Sequence, residues 1–251
     1  MTETVLQEAR KKLIFALDVA DADTALALVR KLRDEVGLFK VGLELYLAQG
    51  PAVMQDLVNA ALPAGIFLDL KLYDIPVTVL GAINTILHGV ALITLPSDLG
   101  PTGLKEIVDA AGRAFNILAV TVLTSTTAQD LRALGYDPRY AQDPTALVVL
   151  RAQMAQAAGC HGVVCSGREA AAVRQACGPE FLIVCPGIRP AWAAVPGDDQ
   201  SRIVTPYEAV KNGADFIVVG RPLRQEPGME VEAARRVVAE IAAAMQEMAG
   251  T

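Results

Sequence analysis

The sequence predicts a single-domain α/β protein, a (β/α)8 TIM barrel spanning residues 1–251, and three observations lead there. Short apolar runs recur eight times along the chain, and each is followed by an amphipathic stretch. The length of 251 residues is that of one such barrel, about 250. Composition agrees: hydrophobic residues make up 53% and aromatic ones only 5%. Ala, Val and Leu therefore fill the core, which suits a parallel sheet wrapped by close-packed helices better than a sandwich.

The runs, in order, are KLIFALDV (12–19), LFKVGL (38–43), GIFLDLKL (65–72), ALITL (91–95), NILAVTVL (116–123), HGVVCS (161–166), FLIVCPG (181–187) and DFIVVG (215–220). They are continuous rather than alternating, as strands covered on both faces are. Helical segments lie between them at 22–35, 51–62, 77–88, 102–113, 144–158, 168–177, 205–212 and 229–248. Asp21 to Thr24 and Thr205-Pro206 read as helix starts, with Pro206 in a first turn where a missing N–H costs nothing. An open dinucleotide-type sheet would need a glycine-rich turn after the first strand; LDVADAD has no glycine. Two connections are long. Residues 125–143 predict a short helix and a turn after strand five, and 186–204, rich in Pro, Gly and Asp, predict a lid after strand seven.

Bulk properties narrow the function. A net charge of −6 with no basic stripe argues against nucleic acid. Cys160, Cys165, Cys177 and Cys185 form no C-x-x-C pair and are expected to be reduced core thiols. The N-terminal MTETVLQEARKK has no apolar leader core, and no run reaches the ~18 residues of a membrane span, so a cytoplasmic protein without membrane contact is expected.

Charges interrupt the first three apolar runs. Asp18 ends strand one, Lys40 lies in strand two, and Asp69 and Lys71 lie in strand three, where period-two alternation turns both to one side. Buried charges are costly unless paired, so these four are expected to meet at the barrel mouth, where catalytic groups of this architecture sit. The only histidines, His88 and His161, end a helix and begin a strand, which leaves a Ser-His-Asp triad without footing. A phosphate would sit at the loops after strands seven and eight, where Gly220-Arg221 offers a planar cation.

With Asp74 added, the string FLDLKLYDIPVTV resembles the D-x-K-x-x-D-I-P-x-T signature of the orotidine 5′-monophosphate decarboxylase family, through Asp69, Lys71, Asp74, Ile75, Pro76 and Thr78. FALDV, FKVGLELY, VTVLTS, HGVVCSG, PGIRP, PGDDQ and GADFIVVGRPL follow the family in order, from about residue 12 to 225. The resemblance implies a metal-free reaction with no cofactor, a pyrimidine nucleotide as substrate, and a homodimer with shared active sites. Lys40, Asp69 and Lys71 would come from one subunit, and Asp74, Ile75 and Thr78 from its partner. Lys71 would protonate C6 as carbon dioxide leaves, and Asp69 would face the departing carboxylate. Asp18 and Lys40 would hold ribose hydroxyls, and Thr124 would read the pyrimidine edge. Gln200, Gly220 and Arg221 would grip the phosphate, and Pro186, Gly187 and Arg189 would form the lid's base. The chain departs from the family at Tyr73 (commonly His), at Val77 (commonly Asn), and at Pro96, Ser97, Asp98 and Leu99, where an N-V-H-A-x-G-G-like run is usual. Two other readings compete. One is a magnesium-dependent sugar-phosphate decarboxylase or aldolase sharing D-x-K-x-x-D; the other is a catalytically impaired barrel that only binds a nucleotide phosphate.

Overall fold

The computed structural model describes residues 2–86, 88–112, 114–193 and 204–250. Eight parallel strands close into a barrel in chain order. They are β1 (Leu13–Ala16), β2 (Leu38–Gly42), β3 (Gly65–Asp69), β4 (Val90–Pro96), β5 (Asn116–Val120), β6 (Gly162–Val164), β7 (Leu182–Cys185) and β8 (Phe216–Val219). Closure comes from β1, which pairs with both β2 and β8. Each predicted apolar run holds one strand. Most strands are shorter than their runs because the ladder stops before the polar residues at the C-terminal ends.

Twelve α-helices lie among the described residues: α1 (Glu3–Lys12), α2 (Ala22–Leu32), α3 (Leu43–Gln49), α4 (Ala52–Ala61), α5 (Pro76–Ile83), α6 (Gly100–Ala111), α7 (Ala128–Ala133), α8 (Pro138–Gln142), α9 (Pro144–Ala157), α10 (Ala170–Cys177), α11 (Pro206–Lys211) and α12 (Glu230–Ala249). The eight predicted helical segments each overlap one, with ends displaced by a few residues. Asp21 caps α2 by accepting from the Thr24 N–H at 2.7 Å, and Thr205 with Glu208 forms a reciprocal capping box on α11.

Three helices depart from the sequence reading. The polar N-terminal segment is α1, which packs on α12. Glu3 in its first turn and Arg10, Lys11 and Lys12 in its last complement the helix dipole. The second apolar run turns at Gly42 into α3. The connection after β5 forms two short helices where one was predicted, because Thr127 and Asp130 cap one and Asp137-Pro138 starts another.

Side chains from the strands divide by period two into two apolar clusters. One consists of strand residues, with Ile14, Leu38, Phe67, Leu92, Leu118, Val184 and Val218 at its centre, and fills the barrel. The other joins the opposite strand faces to the helices; there Phe15 and Phe39 meet edge to face with ring centres 6.2 Å apart. Each such fully buried side chain contributes about 1.5–3 kcal/mol. One period beyond the inner apolar layer, the same strands present Lys40 after Leu38, Asp69 after Phe67, and Thr94 after Leu92. The barrel floor and the site are successive steps of one pattern.

Candidate active site

Four charges form an alternating chain across the mouth. Lys40 Nζ donates to Asp18 Oδ1 at 3.0 Å and lies 3.9 Å from Asp69 Oδ2, and Lys71 Nζ donates to Asp69 Oδ1 at 2.9 Å. The side chains of Lys40 and Asp69 are 12% and 14% exposed, that of Lys71 34%. The inner part of the chain is thus shielded from water, where charges interact most strongly. The sequence reading brought these residues together, and the structure does so.

Their backbone supports differ from that reading. β3 ends at Asp69, and Lys71 lies beyond it with φ +50°. Strand alternation therefore does not orient Lys71. A left-handed turn carries its backbone away from the ladder, and the long side chain returns to Asp69. Lysine in this conformation costs on the order of 1–3 kcal/mol, so neighbouring contacts must hold it. They come from Thr94 on β4, fully buried: its carbonyl accepts the Leu72 N–H at 3.1 Å, and its hydroxyl accepts the Lys71 N–H at 2.9 Å. The hydroxyl donates in turn to Asp69 Oδ1 at 3.0 Å. Likewise β1, β5 and β8 end at Ala16, Val120 and Val219, so Asp18, Thr124 and Gly220 belong to the following loops.

Lys40, Asp69, Lys71, Thr124 and Pro186 line one cavity of about 190 Å³, together with Val122, Cys165 and Val218. A hydrogen bond with the Cys185 thiol, together with burial, pushes the Cys165 thiol well above its ordinary range. It stays protonated and serves as apolar wall. All four cysteines are buried and free. His161 Nδ1 accepts the Ile117 N–H at 3.0 Å, a structural bond outside the cavity.

Asp74, Ile75 and Thr78 are exposed and do not line this cavity. The Asp74 carboxylate accepts the Ile75 N–H at 2.7 Å, just ahead of α5. Tyr73, Ile75 and Val77 around it are 67%, 63% and 69% exposed. Arg189 is buried, donating to the Ile188 carbonyl at 3.1 Å, and the Ile188–Val204 bridge joins the two ends of the long connection. Arg221 is exposed at the start of a 3-10 turn, Arg221–Arg224, that follows Gly220. Gln200, with the rest of PGDDQ, lies outside the described residues.

Sequence reasoning missed Thr94, Gly42 and Arg224. A Cβ on Gly42 would lie 3.0 Å from Lys40 Nζ and 3.6 Å from Asp18 Oδ1, so glycine makes room for that ion pair. Its place two residues after Lys40 on one strand was the available signal. Arg224 donates to the Asp18 carbonyl at 3.0 Å and fixes the β1 end from β8. The sequence departures at 96–99 also find partners. Asp98 pairs with Arg151, which reaches the Thr121 carbonyl and the Tyr136 hydroxyl, while Ser97 Oγ donates to the Thr121 carbonyl at 3.2 Å. This cluster borders a cavity of about 500 Å³ that also touches Lys71 and Tyr73.

The chemistry on offer is an ammonium paired with a carboxylate on a largely apolar wall, able to give a proton to a ligand and to oppose a second anion. Among the described residues, no three of His, Cys, Asp and Glu gather in a way that could hold a metal ion. The family model described as "Orotidine 5'-phosphate decarboxylase / HUMPS family" matches residues 11–237. A curated orotidine 5′-phosphate decarboxylase of Desulfosudis oleivorans is 43% identical over 246 residues, covering 97% of this chain and 98% of the relative. One of Anaeromyxobacter sp. (strain K) is 47% identical over 230 residues, covering 91% and 97%. Among solved structures, orotidine 5′-phosphate decarboxylase from Lactobacillus acidophilus superposes with a TM-score of 0.75 at 31% identity, covering 91% of this chain and 98% of that one.

Proposed function

The chain belongs to the orotidine 5′-phosphate decarboxylase / HUMPS family, and on that premise we infer that it converts orotidine 5′-phosphate to UMP and carbon dioxide, a step of pyrimidine biosynthesis. The observation that carries this reading is the unbroken Asp18–Lys40–Asp69–Lys71 chain on the cavity wall.

In the reaction, the bond from C6 to the carboxylate breaks heterolytically, carbon dioxide leaves, and the electron pair stays on C6. Lys71 gives that carbon a proton and recovers one from solvent. An ammonium about 4 Å from a developing carbanion is worth about 4 kcal/mol at an effective dielectric of about 20, a gain available only as charge develops. Asp69, facing the substrate carboxylate, disfavours the ground state relative to a transition state in which that negative charge moves away. Asp18 and Lys40 bind ribose hydroxyls and Thr124 the pyrimidine edge. Gly220, Arg221 and Gln200 take the phosphate, and Pro186 and Arg189 anchor the loop over it. No metal or cofactor takes part. The reaction fits a cytoplasmic enzyme; among the described residues no helix is long and apolar enough to cross a membrane.

The active form in this proposal is a homodimer in which the partner subunit's Asp74, Ile75 and Thr78 complete each cavity. Support comes from their exposure outside their own cavity and from the apolar surface of Tyr73, Ile75 and Val77, which a second copy would cover.

Loss of orotidine 5′-phosphate absorbance, followed with EDTA present, tests the activity. Turnover by the wild type is expected, and its absence would sink the reading; sensitivity to EDTA would favour the magnesium-dependent relatives. Mixing inactive Lys71→Ala and Asp74→Ala proteins tests sharing. Random exchange should restore about a quarter of wild-type activity, because each hybrid dimer regains one intact site. No recovery despite demonstrated subunit exchange would reject shared sites.

A further inference from the structure

Thr94 belongs to no motif singled out in the sequence, yet three of the bonds that shape the Lys71 turn pass through it. In the β3–β4 ladder Phe67 pairs with Leu92 and Leu68 with Ile93, so the next step sets Thr94 beside Asp69 on the inward face. The Thr94 hydroxyl oxygen accepts the Lys71 N–H at 2.9 Å, and its single proton is thereby left for Asp69 Oδ1 at 3.0 Å. That same carboxylate oxygen accepts from Lys71 Nζ at 2.9 Å. The Thr94 carbonyl meanwhile takes the Leu72 N–H. A closed circuit results. One buried hydroxyl holds the backbone of Lys71 in a left-handed conformation that lysine disfavours, and orients the carboxylate against which its ammonium rests.

Packing alone does not call for this residue. At a fully buried strand position valine would fill the same shape, whereas a hydroxyl there must be satisfied, and here both its bonds are spent on Asp69 and Lys71. We propose that Thr94 is a positioning residue for the proton transfer: through Asp69 and the Lys71 backbone it sets where the Lys71 ammonium stands relative to the reacting carbon. The inference rests on the decarboxylase reading for its kinetic consequence, but its geometric content stands apart from it.

Thr94→Val removes the hydroxyl and keeps the shape, while Thr94→Ser keeps the hydroxyl. The expected result is a fall in kcat of about 10- to 100-fold for Thr94→Val, the scale of a reacting group displaced by about 1 Å. UMP, which lacks the carboxylate, should bind the variant within about threefold of wild type, and Thr94→Ser should recover kcat to within about threefold. Equal kcat values in the two variants, or parallel losses of kcat and UMP affinity in Thr94→Val, would overturn the proposal. A crystal structure of Thr94→Val gives a readout free of turnover. Lys71 should leave positive φ or its Nζ should move beyond about 4 Å from Asp69; retention of both would also overturn the proposal. Should Thr94→Val fail to fold, Thr94→Ala takes its place in the same comparison with Thr94→Ser. An inactive wild type would refute the decarboxylase reading and leave the crystallographic test in force.

Discussion

Inside this barrel two consecutive layers of side chains, one strand period apart, answer to different demands. The inner layer of Ile14, Leu38, Phe67, Leu92, Leu118, Val184 and Val218 is apolar, buried, and carried on strand backbone. The layer above it, with Lys40, Asp69 and Thr94 joined by Asp18 and Lys71, is charged and in part carried on loops, with lysine at φ +50°. The first stabilises by leaving water. The second holds shielded charges whose mutual bonds offset a desolvation cost. Stability and chemistry thus divide along the strand direction: Phe67 and Val218 reach the cavity as well, whereas a substitution at Ile14 addresses the inner layer alone.

Lys71→Ala attacks the upper layer hardest. kcat/KM should fall by at least about 10³-fold, because general-acid and electrostatic contributions go together, while thermal unfolding shifts by only a few degrees; unchanged turnover in stopped-assay kinetics would remove the mechanism. Ile14→Ala is the matching insult to the lower layer, at a side chain that does not line the cavity. It should cost about 2–5 kcal/mol in denaturant unfolding, with kcat per folded molecule nearly preserved; a loss of kcat as deep as that of Lys71→Ala would mean the two layers are not separable. Gly42→Ala sharpens the boundary between them. A methyl 3.0 Å from Lys40 Nζ should displace the Lys40–Asp18 pair, raising KM by roughly threefold to tenfold with little change in stability, on the scale of a small misplacement. Equal KM values would show that the pair tolerates the intrusion.

The smallest effect is expected far from both layers. Thr205→Ala removes the capping box of α11 and should cost about 1 kcal/mol without kinetic consequence. The Thr205 backbone N–H and hydroxyl hold the Glu208 carboxylate below its ordinary range. Its share of stability is therefore present above that range and is lost as pH falls through the lowered value. The variant's deficit should accordingly shrink at about pH 3, as measured by parallel denaturant titrations at neutral and acid pH.

The sequence reading succeeded where structure is periodic and local. Eight apolar runs became eight strands, and two-residue alternation carried Lys40 and Asp69 to the same side as Leu38 and Phe67. It erred on Lys71, reaching the correct neighbour by extending β3 past its last ladder bond. It overlooked Thr94, a threonine in an apolar run that reads as ordinary strand. It also passed over α1, whose helix-forming residues looked merely polar until α12 supplied a surface to pack against.

By itself, then, the chain determined the eight strands and the helices that alternate with them, which residues of each strand face inward, and which charged side chains must find partners, because backbone hydrogen bonding and side-chain alternation act over a few residues. Only the tertiary structure decided that Thr94 stands beside Asp69, that Lys71 turns left-handed to return to it, that Gly42 clears space for the Lys40–Asp18 pair, and that Asp74 faces outward. Those contacts depend on the register between strands distant in sequence, and that register is fixed only when the barrel closes and every strand must satisfy both neighbours at once.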